Sequence, residues 1–189
     1  MSDARDELLA LPRRDAYREG RFRLASGKES DFFIDCKRVM LTAEGHQRIG
    51  AVLCDAVASL AASSPVHAVA GVALGGCPLA SAVSLTSALR GVGPDGRGWN
   101  ALYVRKEPKD HGTAKRVEGF SAAGPAVVLL EDVLTTGGSS LAAITALRAE
   151  GFEVSRVIAL VDRAEGAIAS LAAAGVTATA LFHRGDFVR

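Results

Sequence analysis

Residues 127–140, Val-Val-Leu-Leu-Glu-Asp-Val-Leu-Thr-Thr-Gly-Gly-Ser-Ser, constrain the fold more than any other part of the chain. Four consecutive apolar residues, two of them β-branched, read as a strand covered on both faces. Glu131 and Asp132 then stand where that strand is expected to end. A turn rich in hydroxyls and glycine follows, after which Leu141, Ile144 and Leu147 recur at helical spacing up to Gly151. In open α/β sheets, ligands sit at the carboxyl ends of strands, and helix N-termini offer unpaired N–H groups to anions. Thr135, Thr136, Gly137, Gly138 and Ser139 can therefore wrap a phosphate with backbone N–H and hydroxyl donors, the glycines allowing close approach.

The neighbouring acids narrow the ligand. A P-loop needs a Lys after its last glycine, and none follows Gly137 and Gly138; the spacing of a dinucleotide fold is also missing. Ionised carboxylates only accept hydrogen bonds, so a carboxylate pair beside a phosphate cradle suits a ligand with vicinal hydroxyls, such as a ribose 5-phosphate. The stretch resembles the phosphoribosyl pyrophosphate (PRPP) motif of type I phosphoribosyltransferases. That resemblance implies that Glu131 and Asp132 hold ribose hydroxyls while Val133, Leu134 and the turn 135–139 hold the 5′-phosphate.

With 189 residues, 49% of them apolar and 23% charged, the chain reads as one globular domain spanning 1–189. A formal net charge of +1 argues against a general nucleic-acid binder. No apolar run is long enough to span a membrane, and the acidic N-terminal stretch does not read as a signal peptide. Cys36, Cys54 and Cys77 lack C-x-x-C spacing, so a reducing cytoplasm is the expected compartment.

In chain order, the pattern predicts a helix over 3–19 with a break at Pro12 and a stop at Gly20. A short hairpin then lies outside the main sheet, from Phe22-Arg23-Leu24 to Asp31-Phe32-Phe33-Ile34-Asp35. Thr42 caps a helix over 43–61. Strands at 66–72, 101–105, 127–130, 154–161 and 176–182 alternate with helices to about 89, 151 and 174, and 91–98 is a surface turn. This alternation predicts an α/β fold with a mostly parallel sheet and helices on both faces. The segment 105–124 has no evident element, and a loop of that length reads as a lid or binding loop, or as a solvated charged loop. It carries Arg105, Lys106, Lys109, His111, Lys115 and Arg116 among acids and glycines.

Further stretches make the resemblance more specific. Arg105-Lys106-Glu107-Pro108-Lys109-Asp110-His111-Gly112 is similar to the mobile loop of orotate phosphoribosyltransferases. Ser26-Gly27 with Asp31-Phe32-Phe33-Ile34-Asp35 resembles the family's N-terminal hood, formed here mainly by 1–40. Gly71-Val72-Ala73-Leu74-Gly75-Gly76-Cys77-Pro78 resembles its pyrophosphate loop, and Asp162-Arg163-Ala164-Glu165 its Asp-Arg-x-Glu segment. The resemblance implies transfer of the phosphoribosyl group of PRPP to orotate, giving orotidine 5′-monophosphate and pyrophosphate. It further implies that Phe33, Ile34, Thr135 and Arg163 meet orotate. Arg105, Lys106, Lys109, His111 and the turn Leu74, Gly75, Gly76, Cys77 would meet PRPP, with Lys109, His111 and Asp132 catalytic. Mg²⁺ would be carried by PRPP and water near Glu131 and Asp132, with no direct protein ligand, and the enzyme would be a homodimer with shared sites.

Ala25 and Gly75 depart from relatives that carry lysine there, leaving fewer fixed cations near the substrates. His46, His67 and His183 have no ligand spacing and read as structural or surface residues, Cys77 as small and buried, and Trp99 as surface packing. Two other functions stay open on the sequence: a PRPP-binding transcriptional regulator, and a purine or xanthine phosphoribosyltransferase. The basic loop speaks against the first and the Asp162-Arg163 segment against the second.

Overall fold

The computed structural model describes residues 2–23, 29–107, 115–119 and 124–188. Helix α1 (Ser2–Asp15) opens the chain and passes through Pro12 without breaking. Burial of Leu8, Leu9 and Leu11 outweighs the one helical hydrogen bond that a proline forfeits. The helix ends at Asp15, short of the expected stop at Gly20, because 17–20 is taken up by a strand. That strand, β1 (Tyr17–Arg23), pairs antiparallel with β2 (Glu29–Ile34) in a two-stranded sheet of its own. The pairing register shifts between Glu19 and Phe22, where Gly20 adopts φ +152°. The side-chain period of two sends Phe32 and Ile34 into the core and leaves Phe33 outside.

After the short helix α2 (Lys37–Met40), helix α3 (Ala43–Ala61) starts at the expected cap, the Thr42 hydroxyl accepting the Gly45 N–H at 3.0 Å. The main sheet holds β3 (Ala68–Val72), β4 (Asn100–Val104), β5 (Val117–Glu118), β6 (Ala126–Leu134), β7 (Glu153–Asp162) and β8 (Thr177–His183). Their order is β5-β4-β3-β6-β7-β8, all parallel except the edge strand β5. Helices α4 (Gly76–Arg90), α5 (Gly138–Ala149) and α6 (Ala167–Ala173) connect the parallel strands. The predicted α/β alternation is thus observed, with an edge strand added inside the segment expected to be all loop. Trp99 also departs from expectation. It is 2% exposed, and its indole Nε1 donates to Val66 O at 3.1 Å.

Although β3, β6 and β7 are apolar on both sides, the pleat sorts their residues into two cores. Val69, Val128, Leu130, Ile158 and Leu160 join α1, α3 and α4 in one cluster. Ala68, Ala70, Val127, Leu129 and Val157 join α5 and α6 in the other. Helices α4 and α5, which follow the adjacent strands β3 and β6, therefore lie on opposite faces of the sheet. The crevice between the ends of β3 and β6 is the topological switch point, where an open α/β sheet binds its ligand.

Candidate active site

Strand β6 continues through the acids, with Glu131 opposite Ala159 and Leu134 opposite Asp162 on β7. The expected end of the strand at 130 is therefore four residues early. Because successive side chains point to opposite faces, Glu131 follows Val127 and Leu129 toward α5, and Asp132 follows Val128 and Leu130 toward α4 and the N-terminal elements. The contacts agree. Glu131, 6% exposed, accepts hydrogen bonds from Ser139 Oγ at 3.3 Å and Ser140 Oγ at 3.4 Å, both in the first turn of α5. Burial, and then the charge of Asp132, push its carboxyl up to about 8, against the pull of the two hydroxyls and Lys106. In the ligand-free protein at neutral pH, Glu131 is mostly protonated.

Asp132 meets the other layer. A Cβ built on Gly75 would lie 2.2 Å from the Asp132 Cγ, so glycine is what allows the carboxylate to lie against the turn after β3. Burial raises the Asp132 pKa, and Lys37 is the strongest influence pulling it back. Lys37 Nζ is 2.8 Å from Asp35 Oδ1, on the turn that leaves β2. Sequence reasoning does not single out this lysine, because nothing local to Asp35-Cys36-Lys37 indicates a neighbour 95 positions away. Its one visible signal is a basic residue directly following the hood segment.

Between β6 and α5, Gly137 adopts the left-handed conformation at φ +87°. Thr136, Gly138 and Ser139 are exposed, Thr135 is half-buried, and the Leu134 side chain lies in the α5 core. Leu134 and the buried Gly137 can serve a ligand through their backbones alone, whereas the Thr136 side chain is exposed to one and the Ser139 hydroxyl, which donates to Glu131, would have to turn to reach it. Two hydrogen bonds fix the turn against the next crossover, Arg163 N to Leu134 O and Ala167 N to Thr135 O, both at 3.0 Å.

The turn after β3 is built from close backbone approach. A Cβ on Gly71 would lie 2.1 Å from Gly76 O, and one on Gly76 would lie 2.5 Å from Leu130 O. The Ala73–Leu74 peptide is cis, and Leu74 is 71% exposed. Cys77 is buried as expected; its thiol faces Gly71 O at 3.8 Å, and burial pushes its pKa up, which makes it a poor nucleophile. Beside this turn opens a groove of about 610 Å³, lined among others by Leu74, Tyr103, Arg105, Lys106 and Glu118. Arg105 and Lys106 thus line the same groove as the 74–77 turn. Arg105 is partly engaged, its N–H donating to Arg116 O at 2.8 Å and its guanidinium 3.5 Å from Glu118. Lys115 instead pairs with Glu150 at 3.1 Å. Lys109 and His111 lie outside the described residues, as do Ala25, Ser26 and Gly27.

Arg163, at the end of β7, is 9% exposed. Its Nη2 donates to Phe32 O at 3.4 Å, which joins the hairpin to the same end of the sheet. Ile34 is buried in the core, so only its backbone can face a base, while Phe33 is 37% exposed and packs on Phe22 with ring centroids 5.2 Å apart. The histidines keep their plain roles: His46 Nδ1 lies 3.2 Å from Met40 O, and His67 Nδ1 accepts the Ala126 N–H at 3.1 Å at the far end of the sheet. His183 lies at the end of β8, 3.7 Å from Asp162.

Comparison with known proteins bears on this arrangement. No family model matches the chain. It is 53% identical to an orotate phosphoribosyltransferase of Sorangium cellulosum over 186 residues, covering 97% of this chain and 93% of that protein. The chain belongs to the orotate phosphoribosyltransferase family. A second member, from Thermosynechococcus vestitus, is 44% identical over 98% of this chain and 94% of its own length. The crystal structure of Mycobacterium tuberculosis H37Rv orotate phosphoribosyltransferase in complex with PRPP superposes with a TM-score of 0.75, at 32% identity, over 97% of this chain and 98% of that one. The fold is that of type I phosphoribosyltransferases, and family membership makes the chain a glycosyl-transferring enzyme. Among the described residues, no helix is long and apolar enough to cross a membrane.

Proposed function

We propose that this chain transfers the 5-phosphoribosyl group of PRPP to orotate, releasing pyrophosphate and forming orotidine 5′-monophosphate. The observation that carries the proposal is the convergence of an acidic pair, a hydroxyl-bearing helix N-terminus and a buried arginine at one switch point. Thr136, Gly138 and Ser139 would receive the 5′-phosphate. Asp132, and Glu131 once it has lost its proton, would accept hydrogen bonds from the ribose hydroxyls. Arg163, whose planar fork suits a carboxylate, would orient orotate with Phe33 and Thr135 nearby.

Cleavage of the anomeric bond places positive charge on the ribose ring and negative charge on the diphosphate. No protein nucleophile is needed, because orotate N1 is itself the attacking atom, the N1 proton leaving with the diphosphate whose bond to C1′ breaks. The work of the chain is to align the two reactants and to stabilise the departing charge. The backbone of 74–77, Arg105, Lys106, Lys109 and His111 would take up that charge, and a closed loop would exclude the water that hydrolyses PRPP. Among the described residues, no group of three or more His, Cys, Asp or Glu side chains could hold a metal ion. Glu131, pushed toward its neutral form, is a poor ligand for a hard cation, so Mg²⁺ would ride on substrate oxygens and water close to Asp132. Bound there, the ion would neutralise diphosphate charge. The reading includes a homodimer with shared sites, and a reducing cytoplasm that keeps Cys36, Cys54 and Cys77 as the buried free thiols observed.

The test is to mix purified protein with PRPP, Mg²⁺ and one base at a time. Loss of the orotate ultraviolet band with stoichiometric pyrophosphate is expected for orotate, and no turnover for hypoxanthine, adenine or xanthine. Failure to convert orotate at any magnesium level, or equal use of a purine, defeats the proposal. Sedimentation should show a dimer, and mixing inactive Lys109→Ala and Arg163→Ala chains should restore part of the activity if sites are shared.

A further inference from the structure

The turn between β7 and α6 holds a carboxylate that the reading above leaves without a task. Glu165 Oε1 lies 2.8 Å from Arg163 Nη2. The arginine is held firmly from the protein side: its guanidinium carbon sits 5.8 Å from the centre of the Phe32 ring, and the same Nη2 donates to Phe32 O. Its backbone N–H is bonded to Leu134 O. Glu165 is held less firmly. Its side chain is 32% exposed against 9% for that of Arg163. It is flanked by Ala164 at φ +59° and Gly166 at φ +98°, in a turn closed by the Ala164 N–H donating to Asp162 Oδ1 at 3.0 Å.

A buried guanidinium needs a counter-charge, since removing one partner of such a pair leaves an uncompensated ion. Glu165, 2.8 Å away, supplies that charge. A ligand carboxylate arriving at the same fork would place a second anion on a single cation, with too little solvent to screen the repulsion. One of the two acids has to withdraw, and the geometry determines which. Arg163 is fixed on its inner side, whereas Glu165 has solvent beside it.

We propose that Glu165 is a built-in substitute for the carboxylate of the acceptor base: it neutralises and orients Arg163 in the free enzyme and swings out when the ligand's own carboxylate takes its place. The proposal rests on the reading that Arg163 receives orotate. Glu165 is a positioning residue and touches no reacting atom. It also contributes to specificity. An uncharged pyrimidine brings no charge to replace the one it would displace, so the exchange favours a base that carries an acid.

The test compares the full-length protein with Glu165→Gln and Glu165→Asp, using orotate and uracil as ligands. The glutamine variant keeps the shape and removes the competing charge. Its KM for orotate should fall about threefold or more, the scale of one charge-assisted hydrogen bond no longer contested, with kcat little changed. Its melting temperature without ligand should drop, and saturating orotate should raise it by more than in the wild-type protein. Uracil should give no such gain, and the aspartate variant should lie between wild type and glutamine. A KM for orotate that rises or stays level in the glutamine variant, or an equal gain with uracil, overturns the proposal and leaves Glu165 a structural support. If the wild-type protein itself fails to use orotate, the underlying reading has failed instead, and the two outcomes are distinguishable.

Discussion

Two strand-to-helix turns meet at the switch point, and they receive anions in different ways. The turn after β6 offers side chains, with Thr136 and Ser139 both exposed, the Ser139 hydroxyl leaning on Glu131, and one glycine, Gly137, in a left-handed conformation. The turn after β3 offers backbone only, packed so tightly that Gly71, Gly75 and Gly76 each have another group within 2.5 Å of where a Cβ would stand. The first is complete in itself and suits a phosphate monoester. The second carries no cation of its own, and its nearest side-chain charge is the carboxylate of Asp132. A diphosphate can be bound and released there only if positive charge comes from elsewhere, from Arg105, Lys106 and the segment beyond them. This contrast also gives a physical reason for glycine at position 75. In this chain a side chain at 75 would have to displace Asp132.

The contrast predicts the largest effects on the cation-dependent side. Lys109→Ala should lower kcat by about 10²–10³ or more, as for loss of one charge-stabilising donor, while PRPP affinity changes less. Near-normal turnover in a steady-state assay would remove the lysine from the departing-group role and weaken the distinction between the turns.

A pair of glycine substitutions sharpens it next. Gly75→Ala should destabilise the ligand-free protein by about 1–3 kcal/mol, since its methyl meets the Asp132 carboxylate, and should weaken PRPP binding as well. Gly138→Ala has only Thr136 Oγ1 near it, at 3.9 Å, so the free protein should change by no more than about 0.5 kcal/mol. Its methyl would still crowd a bound phosphate. Thermal melts with and without PRPP separate the two cases, and similar losses in the free proteins would erase the difference.

Acid titration tests the partition at the end of β6. The folded pKa of Glu131, about 8, lies above its ordinary value of 4.5. Between these values the folded state binds the extra proton, so stability is greatest below about 4.5 and declines as pH rises toward 8. Glu131→Gln should therefore be more stable than wild type at pH 8, by an amount of order 1–3 kcal/mol, and the gap should shrink as pH falls and close below about 4.5. A gap that does not depend on pH would exclude a buried protonated Glu131. The smallest effect is expected for Lys37→Met, a loss of PRPP affinity of about two- to fivefold, because this half-buried lysine influences Asp132 through partly screened charge. Arginine at the same position should restore most of it.

Much of this was legible in the sequence, for identifiable reasons. The β6–turn–α5 unit is local, and its strand, acids, glycines and helical spacing fall within 25 residues, so the order of residues dictated the structure. The Thr42 cap was legible in the same way. What escaped was decided by distant contacts. α1 survives Pro12 because of what Leu8, Leu9 and Leu11 bury against, and Trp99 is interior because its indole reaches Val66 O. β5 is two residues long and exists only by pairing with β4. Lys37 and Glu165 escaped for a related reason: their importance lies in which buried group each one faces, and no spacing rule records that.

Because adjacent side chains of β6 turn to opposite faces, Glu131 and Asp132 report to separate parts of the protein. Substitutions in the first turn of α5 act first on the proton held by Glu131, and substitutions around Asp35 and Lys37 act first on the charge of Asp132, which in turn is felt by Glu131. The pleat of a single strand thereby lets two layers of the protein act on one sugar through neighbouring acids, each layer reaching its own carboxyl directly and the other only through the charge they share.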